Sequence, residues 1–310
     1  MPGDAFPMLA LVGPTASGKT EAGIQIAETF GAEIVSVDSM LIYRGMDIGT
    51  AKPSAAQRNR IAHHLIDLAE PSEPFSVAAY QEASRTTFAD LELRGVTPFL
   101  VGGSGLYFRA CVDDLVFPAT DPGTRADLER QAEALGSSRL YARLQDLDPV
   151  AAAKIEPGNV RRTIRALEVA GITGRPFSSF AEAWERYPAD RAIVAGVDID
   201  RTVLNERIVR RVDAMINGGW LQEVARLVDA GFGGWLTATQ AIGYAELSRH
   251  LEGGCSLEEA EALTVKRTKQ LARRQLAWFR RDPRVQWFRA GESGAMDAMD
   301  DIVQFLGAGR

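Results

Sequence analysis

The chain has 310 residues, enough for one sizeable core with an inserted or appended subdomain. Its 46% hydrophobic and 25% charged residues are ordinary globular values, and no apolar run approaches the roughly 20 residues a membrane-spanning helix needs. The net charge of −6 argues against a general nucleic-acid binder, but the charge is uneven. Lys266, Arg267, Lys269, Arg273, Arg274, Arg280, Arg281, Arg284 and Arg289 face a single acid, Asp282, within one short run. Cys111 and Cys255 are far apart and in no metal-type spacing, and the opening "MPGDAFPML" lacks the charged and apolar regions of a secretion signal. Reduced thiols and a cytoplasmic location are expected.

"MLALVG" (8–13) reads as a short buried strand running into a glycine-rich loop, and "KTEAGIQIAETFG" as a helix stopped by Gly31. "AEIVSVDS" (32–39) is a second strand, β-branched at Ile34, Val35 and Val37, with Asp38 and Ser39 at its end. "HHLIDL" (63–68) is expected as a third. A helix over 75–95 begins at the N-cap Ser76 and stops at Gly95, and "TPFLVGG" (97–103) is another buried strand. Strands alternating with helices indicate a parallel α/β sheet. From Arg125 to Tyr187 only helical patterns occur, "RAIVAGVDIDR" (191–201) reads as a strand again, and long helices are expected to the end. The architecture predicted is an α/β core with a P-loop NTPase-like parallel sheet, residues 1–118 and 191–310. An all-helical insertion at 119–190 interrupts it, and its C-terminal part is helical. In "ERIVRRVDAMINGG", Ile208, Val212, Met215 and Ile216 share a packing face, while Arg207 and Arg211 on a neighbouring flank are either solvated or turned to a phosphate.

The loop itself is G-x-x-x-x-G-K-T: Gly13, Pro14, Thr15, Ala16, Ser17, Gly18, Lys19 and Thr20. Its glycines let backbone N–H groups point at an anion, and the following helix adds its positive end. Lys19 supplies a mobile cation and Thr20 a hydroxyl for Mg²⁺. The pattern establishes diphosphate-type binding without naming the ligand. A phosphoryl-transfer enzyme of this class also carries an apolar strand ending in Asp. The best candidate strand here ends in Gly102-Gly103-Ser104-Gly105. The carboxylate at a strand end is Asp38, placed with Ser104 near the loop because strand carboxyl ends face the crevice of an open α/β sheet. Asp38 as a cap or metal ligand and Ser104 as turn chemistry remain open on spacing alone.

In order along the chain stand "GPTASGKT", "VSVDSMLIYRGMDIGTAKP", "HHLID", "FSVAAY", "LVGGSGLYFRA", "RRTIRALEV", "QAIGY" and "KQLARRQLAWFR". Together they resemble the tRNA dimethylallyltransferases, also called isopentenyltransferases, from about Leu9 to Phe288; "YRGMDIGTAKP" is the most specific stretch. The resemblance implies transfer of a dimethylallyl group from dimethylallyl diphosphate to N6 of the adenosine just 3′ of the anticodon, in tRNAs reading codons that begin with U. It places the diphosphate on Gly13–Thr20, the general base on Asp38 and a hydroxyl on Ser104, where many members have Thr. It places tRNA contacts on Asp38, Ser39, Met40 and Leu41, on Ser104, on Arg125, on Arg161, Arg162, Thr163, Ile164 and Arg165, and on Gln240, Ala241, Ile242, Gly243, Tyr244 and Ala245. Departures are Leu41 for Gln, Ala245 for a polar residue, Lys269 for Arg, Arg273 for Lys and Ala277 for Thr; Ala245 cannot make a side-chain hydrogen bond to RNA.

Under that reading Asp38 accepts the N6 proton, while the loop amides, Lys19, Thr20 and Mg²⁺ absorb charge on the leaving group. The expected partners are dimethylallyl diphosphate and a tRNA anticodon stem-loop, with no membrane, and a monomer. The helical insertion and the basic run would grip phosphates, a solvated helix being the plainer reading of the run. A small-molecule kinase, an RNA-binding nucleotide switch, and prenylation of free adenine nucleotides are the alternatives.

Overall fold

The computed structural model describes residues 7–113 and 115–309. Six parallel strands form one sheet: β1 (Met8–Val12), β2 (Ala32–Val37), β3 (His63–His64), β4 (Thr97–Gly102), β5 (Ala192–Ile199) and β6 (Val285–Ala290), in the order β3-β2-β4-β1-β5-β6. β1, β2 and β5 are buried along most of their length and β4 at Phe99 and Leu100, which is why they read as apolar runs. The chain divides into two compact units, Met1–Val112 with Pro188–Arg310, and Asp113–Tyr187.

In the first unit the helices are α1 (Lys19–Phe30), α2 (Ala55–Arg60), α3 (Val77–Leu93) and α4 (Gly105–Val112), followed in the second by α5 (Pro122–Leu135), α6 (Ser137–Leu147), α7 (Pro149–Lys154) and α8 (Val160–Thr173). The first unit resumes with α9 (Arg201–Asn217), α10 (Trp220–Asp229), α11 (Tyr244–Leu251), α12 (Leu257–Phe279) and α13 (Met299–Ala308). Their ends follow the local chemistry. Gly31 closes α1 at φ 59°, Ser76 caps α3 by accepting from the Ala79 N–H, and Ser256 with Glu259 forms a capping box on α12.

Two expectations are corrected. The third strand is limited to His63–His64, because Leu65 and Asp67 take positive φ and turn the chain away from the sheet. The C-terminal part is not wholly helical: α12 stops at Phe279, and Val285–Ala290 is an edge strand parallel to β5. Pro283 cannot continue a helix, and the aromatic, β-branched "VQWF" that follows suits a pleated surface.

The helical unit packs Leu128, Leu140, Leu144, Ile155, Ile164 and Leu167 into its own core. Asp121, Asp148 and Asn159 cap α5, α7 and α8 by accepting backbone N–H groups, and no strand occurs among its described residues.

Candidate active site

The sheet register builds the site. Val12 and Val37 both pair with Gly102, so the next residues, Gly13, Gly103 and Asp38, leave the carboxyl edge side by side. At about 4.8 Å per strand, Asp38 stands roughly 10 Å from Gly13 with Gly103 between them. The glycines allow this approach. A Cβ on Gly102 would collide with the Val37 carbonyl, and one on Gly103 with the Gln275 amide. The Ser104 N–H donates to Val37 O at 3.1 Å and fastens the tip of β4 to β2 beside Asp38.

The loop from Gly13 to Thr20 curls through Ala16 and Gly18 at φ 64° and 84°, and its residues Thr15–Thr20 line a cavity. Lys19 is buried, and its Nζ donates to Pro14 O at 2.5 Å and to Ser17 Oγ at 3.3 Å. Burial and the nearby Arg211 push its pKa down to about 7, against the opposing pull of Asp38. The loop is braced from outside. Arg207 Nε donates to Ala16 O at 2.7 Å and its NH1 to Glu292 O at 2.6 Å, and the Ala295 N–H donates to Ser17 O. From α12, Gln275 Oε1 accepts the Thr15 N–H at 2.7 Å.

A cavity of about 360 Å³ opens against this loop. Asp38 and Leu41 line one wall, and Arg207, Arg210 and Arg211 of α9 line another. Below them Ser36, Ile34, Val101 and His63 continue down the sheet face. Asp38 Oδ1 accepts the Met40 N–H at 2.8 Å, and no other hydrogen bond to this carboxylate occurs among the described residues. The carboxylate is therefore oriented by one oxygen and open at the other. His63 donates Nδ1–H to Ile61 O, and burial depresses its pKa despite that bond, so a neutral ring faces the lower cavity.

The stretch 43–53 forms the remaining wall through Thr50, Ala51 and Pro53. It is held by buried ions, not by exposure. Lys52 Nζ binds Tyr43 O, Asp47 and Asp67 at 2.6–2.7 Å. Glu223 of α10, only 2% exposed, accepts the N–H groups of Asp47, Ile48 and Gly49 and the Tyr244 hydroxyl. Trp220 fills the space that side chains at Gly49 and Gly243 would need.

The structure brings Thr15–Thr20, Asp38 and Leu41 to one cavity, with Gly13 and Pro14 outside its lining; Ser39 and Met40 are half-buried, and Ser104 follows Gly103 with its hydroxyl unpartnered among the described residues. In 240–245, Gln240 is exposed, Ile242 and Ala245 are half-buried, and Ala241, Gly243 and Tyr244 are buried. In the helical unit, Thr163 and Ile164 face inward while Arg161 and Arg162 are exposed. Arg125 and Arg165 both bind the fully buried Glu168, at 2.7 and 2.8 Å. Burial pushes the Glu168 carboxyl up, but those two arginines hold it below its usual range. The sequence singled out neither Arg210 nor Gln275 as a site residue, and it marked 43–53 as the most specific stretch without placing residues 50–53 on the cavity wall. It left Arg207 and Arg211 between a solvated face and a phosphate; both line the cavity, and Arg207 also donates to the carbonyls of Ala16 and Glu292. Among the described residues no cluster of three or more His, Cys, Asp or Glu side chains is arranged to hold a metal ion, and no helix is long and apolar enough to cross a membrane.

Comparison with known proteins gives a consistent result. The family described as IPP transferase matches residues 41–282, and that described as isopentenyl transferase matches residues 7–67. The chain is 48% identical over 297 residues to a tRNA dimethylallyltransferase of Nocardioides, covering 96% of each chain. It is 48% identical over 284 residues to one of Streptomyces coelicolor, covering 92% of this chain and 90% of the relative. The crystal structure of the tRNA isopentenylpyrophosphate transferase of Bacillus halodurans superposes with a TM-score of 0.71 at 38% identity, covering 98% of this chain and 97% of that one.

Proposed function

The chain belongs to the IPP transferase family, and on that premise we propose that it is a tRNA dimethylallyltransferase, moving a dimethylallyl group from dimethylallyl diphosphate to a tRNA base. The acceptor is N6 of the adenosine immediately 3′ of the anticodon, in tRNAs that read codons beginning with U. One observation carries this reading. An oriented carboxylate, Asp38, stands across a single glycine strand tip from a diphosphate-sized loop, and both line the same cavity.

The adenine N6 lone pair is delocalised into the ring, so N6 attacks well only if its proton is taken as the bond to C1 forms. Asp38 takes that proton on the oxygen not committed to Met40. The electron pair of the breaking C1–O bond passes to the diphosphate. Lys19, Arg211 and the loop N–H groups stabilise that charge where it develops. Thr20 fits a Mg²⁺ role: it is exposed at the start of α1 and lines the cavity, and its hydroxyl has no hydrogen-bond partner among the described residues. One hydroxyl and the ligand's own phosphate oxygens suit an ion that keeps much of its water. When bound, Mg²⁺ would neutralise part of the diphosphate charge. Exposed cations suited to the phosphates of the stem-loop are Lys266, Arg273 and Arg274 on α12 and, within the helical unit taken by itself, Arg161 and Arg162.

The test is incubation with labelled dimethylallyl diphosphate and tRNA lacking the modification, followed by nucleoside analysis. Label on N6 of that adenosine is the expected result. Folded wild-type protein with Mg²⁺ that labels no RNA would end the proposal. Asp38→Asn keeps the acceptor for Met40 but not the base, and should lose about 10²–10⁴-fold in turnover with tRNA binding retained.

A further inference from the structure

Gln275 lies in the middle of the basic run, where its neighbours draw attention by charge. Its own position is more specific. The side chain is 9% exposed and lines the cavity beside Gly103, between the loop and the strand end that carries Asp38. An amide oxygen and nitrogen are interchangeable by a simple flip unless a partner decides between them. Here the partner decides. The Thr15 N–H can only donate, so the atom 2.7 Å away must be Oε1. Nε2 is therefore the atom turned to Gly103. It has no hydrogen-bond partner among the described residues, although it carries two N–H donors. Gly103 makes room for it, since a Cβ there would occupy the same space.

A fixed, unspent donor between the anion loop and the base is placed where the C1–O bond of the donor must break. We propose that Gln275 is a substrate-contacting residue whose Nε2–H donates to the diphosphate oxygen that leaves C1. This rests on the dimethylallyl-transfer reading above. In that step the N6–C1 bond forms and C1–O breaks, the bonding pair stays on the diphosphate oxygen facing Gln275, and the N6 proton goes to Asp38. A neutral donor suits this position. It strengthens as charge builds on the oxygen, yet adds no cation that would draw the Asp38 carboxylate out of line.

Two variants separate contact from mere bracing of the loop. Gln275→Glu keeps an acceptor for the Thr15 N–H and removes the donor; Gln275→Met removes both. Steady-state transfer is measured at saturating tRNA with thermal unfolding of each variant, and inorganic pyrophosphate binding is followed by calorimetry. The expected outcome is a fall in kcat of about 10²-fold in both variants, with the KM for tRNA unchanged. The Glu variant should also recover activity relative to wild type as pH falls from 8 to 6, since a protonated carboxyl can donate again. Gln275→Glu with wild-type kcat would leave only the bracing role and overturn the proposal, as would a folded Gln275→Met variant within threefold of wild type. Absence of transfer by the wild-type enzyme would instead strike at the family reaction, whereas equal pyrophosphate affinity in wild type and Gln275→Met would refute the contact by itself.

Discussion

Burial and Arg211 hold Lys19 near pKa 7, and the negative charge of a bound diphosphate would outweigh both effects. Without ligand, about a tenth of Lys19 is protonated at pH 8; beside a polyanion it is fully protonated. Binding should therefore take up about 0.9 proton at pH 8 and only about 0.1 at pH 6, and this group alone should weaken affinity about tenfold per pH unit above 7. The same shift fixes a stability trend. The unfolded chain binds more protons than the folded one between pH 7 and about 10.4, so unliganded stability rises with pH across that window. The penalty is complete below pH 7 and disappears above the unfolded pKa. The depression from 10.5 to about 7 corresponds to roughly 5 kcal/mol. The assay is pyrophosphate calorimetry in buffers of differing ionisation enthalpy, with Lys19→Met as the reference, because the ligand's own protons are common to both. Equal proton uptake by wild type and Lys19→Met at pH 8 would refute the reasoning.

Three further outcomes are expected. Glu223→Gln puts an NH₂ among the donors from Asp47, Ile48, Gly49 and Tyr244, and should cost about 2–4 kcal/mol in urea unfolding while raising the KM for the prenyl donor. Glu168→Ala frees Arg125 and Arg165 from their shared carboxylate. It should lower stability by about 1–3 kcal/mol, discounted because both arginines are partly exposed, with hydrogen exchange rising first in α5 and α8. Gly243→Ala meets both φ 91° and the Trp220 ring, and should lose about 2–4 kcal/mol, read as a lower urea midpoint.

What the sequence could reveal followed from how far apart the cooperating residues lie. β1, β2, β4 and β5 were legible because strands buried on both faces need unbroken apolar residues. The loop was legible because its amides, Lys19 and Thr20 are contiguous. β6 was hidden because Arg284 and Arg289 made it look like the end of a basic helix, although Pro283 was the available signal. The partner of Arg165 was within reach, since Glu168 is one turn away, but its burial was not. Gln275 and Thr15, 260 residues apart, meet only through the packing of α12 on the sheet edge, and no local pattern announces such a pair.

The distribution of charge around the cavity bears on why a phosphate loop would serve a leaving group. A phosphoryl transferase needs its carboxylate close to the transferred phosphorus, to hold the metal and the attacking group there. In this sheet the strand next to β1 ends in Gly102-Gly103, and the carboxylate comes from β2, one strand further out. That sets the carboxylate about two strand spacings, roughly 10 Å, from the loop that follows β1, one spacing further than a carboxylate on β4 would stand. Between them lie glycine backbone and the Gln275 amide, and among the described residues no second carboxylate lines the cavity. Such a gap has room for a reacting carbon between the diphosphate and the nucleophile. Cations gathered at Lys19, Arg207, Arg210 and Arg211 on one side and a single acid on the other favour pulling a diphosphate off carbon while a proton departs the opposite way.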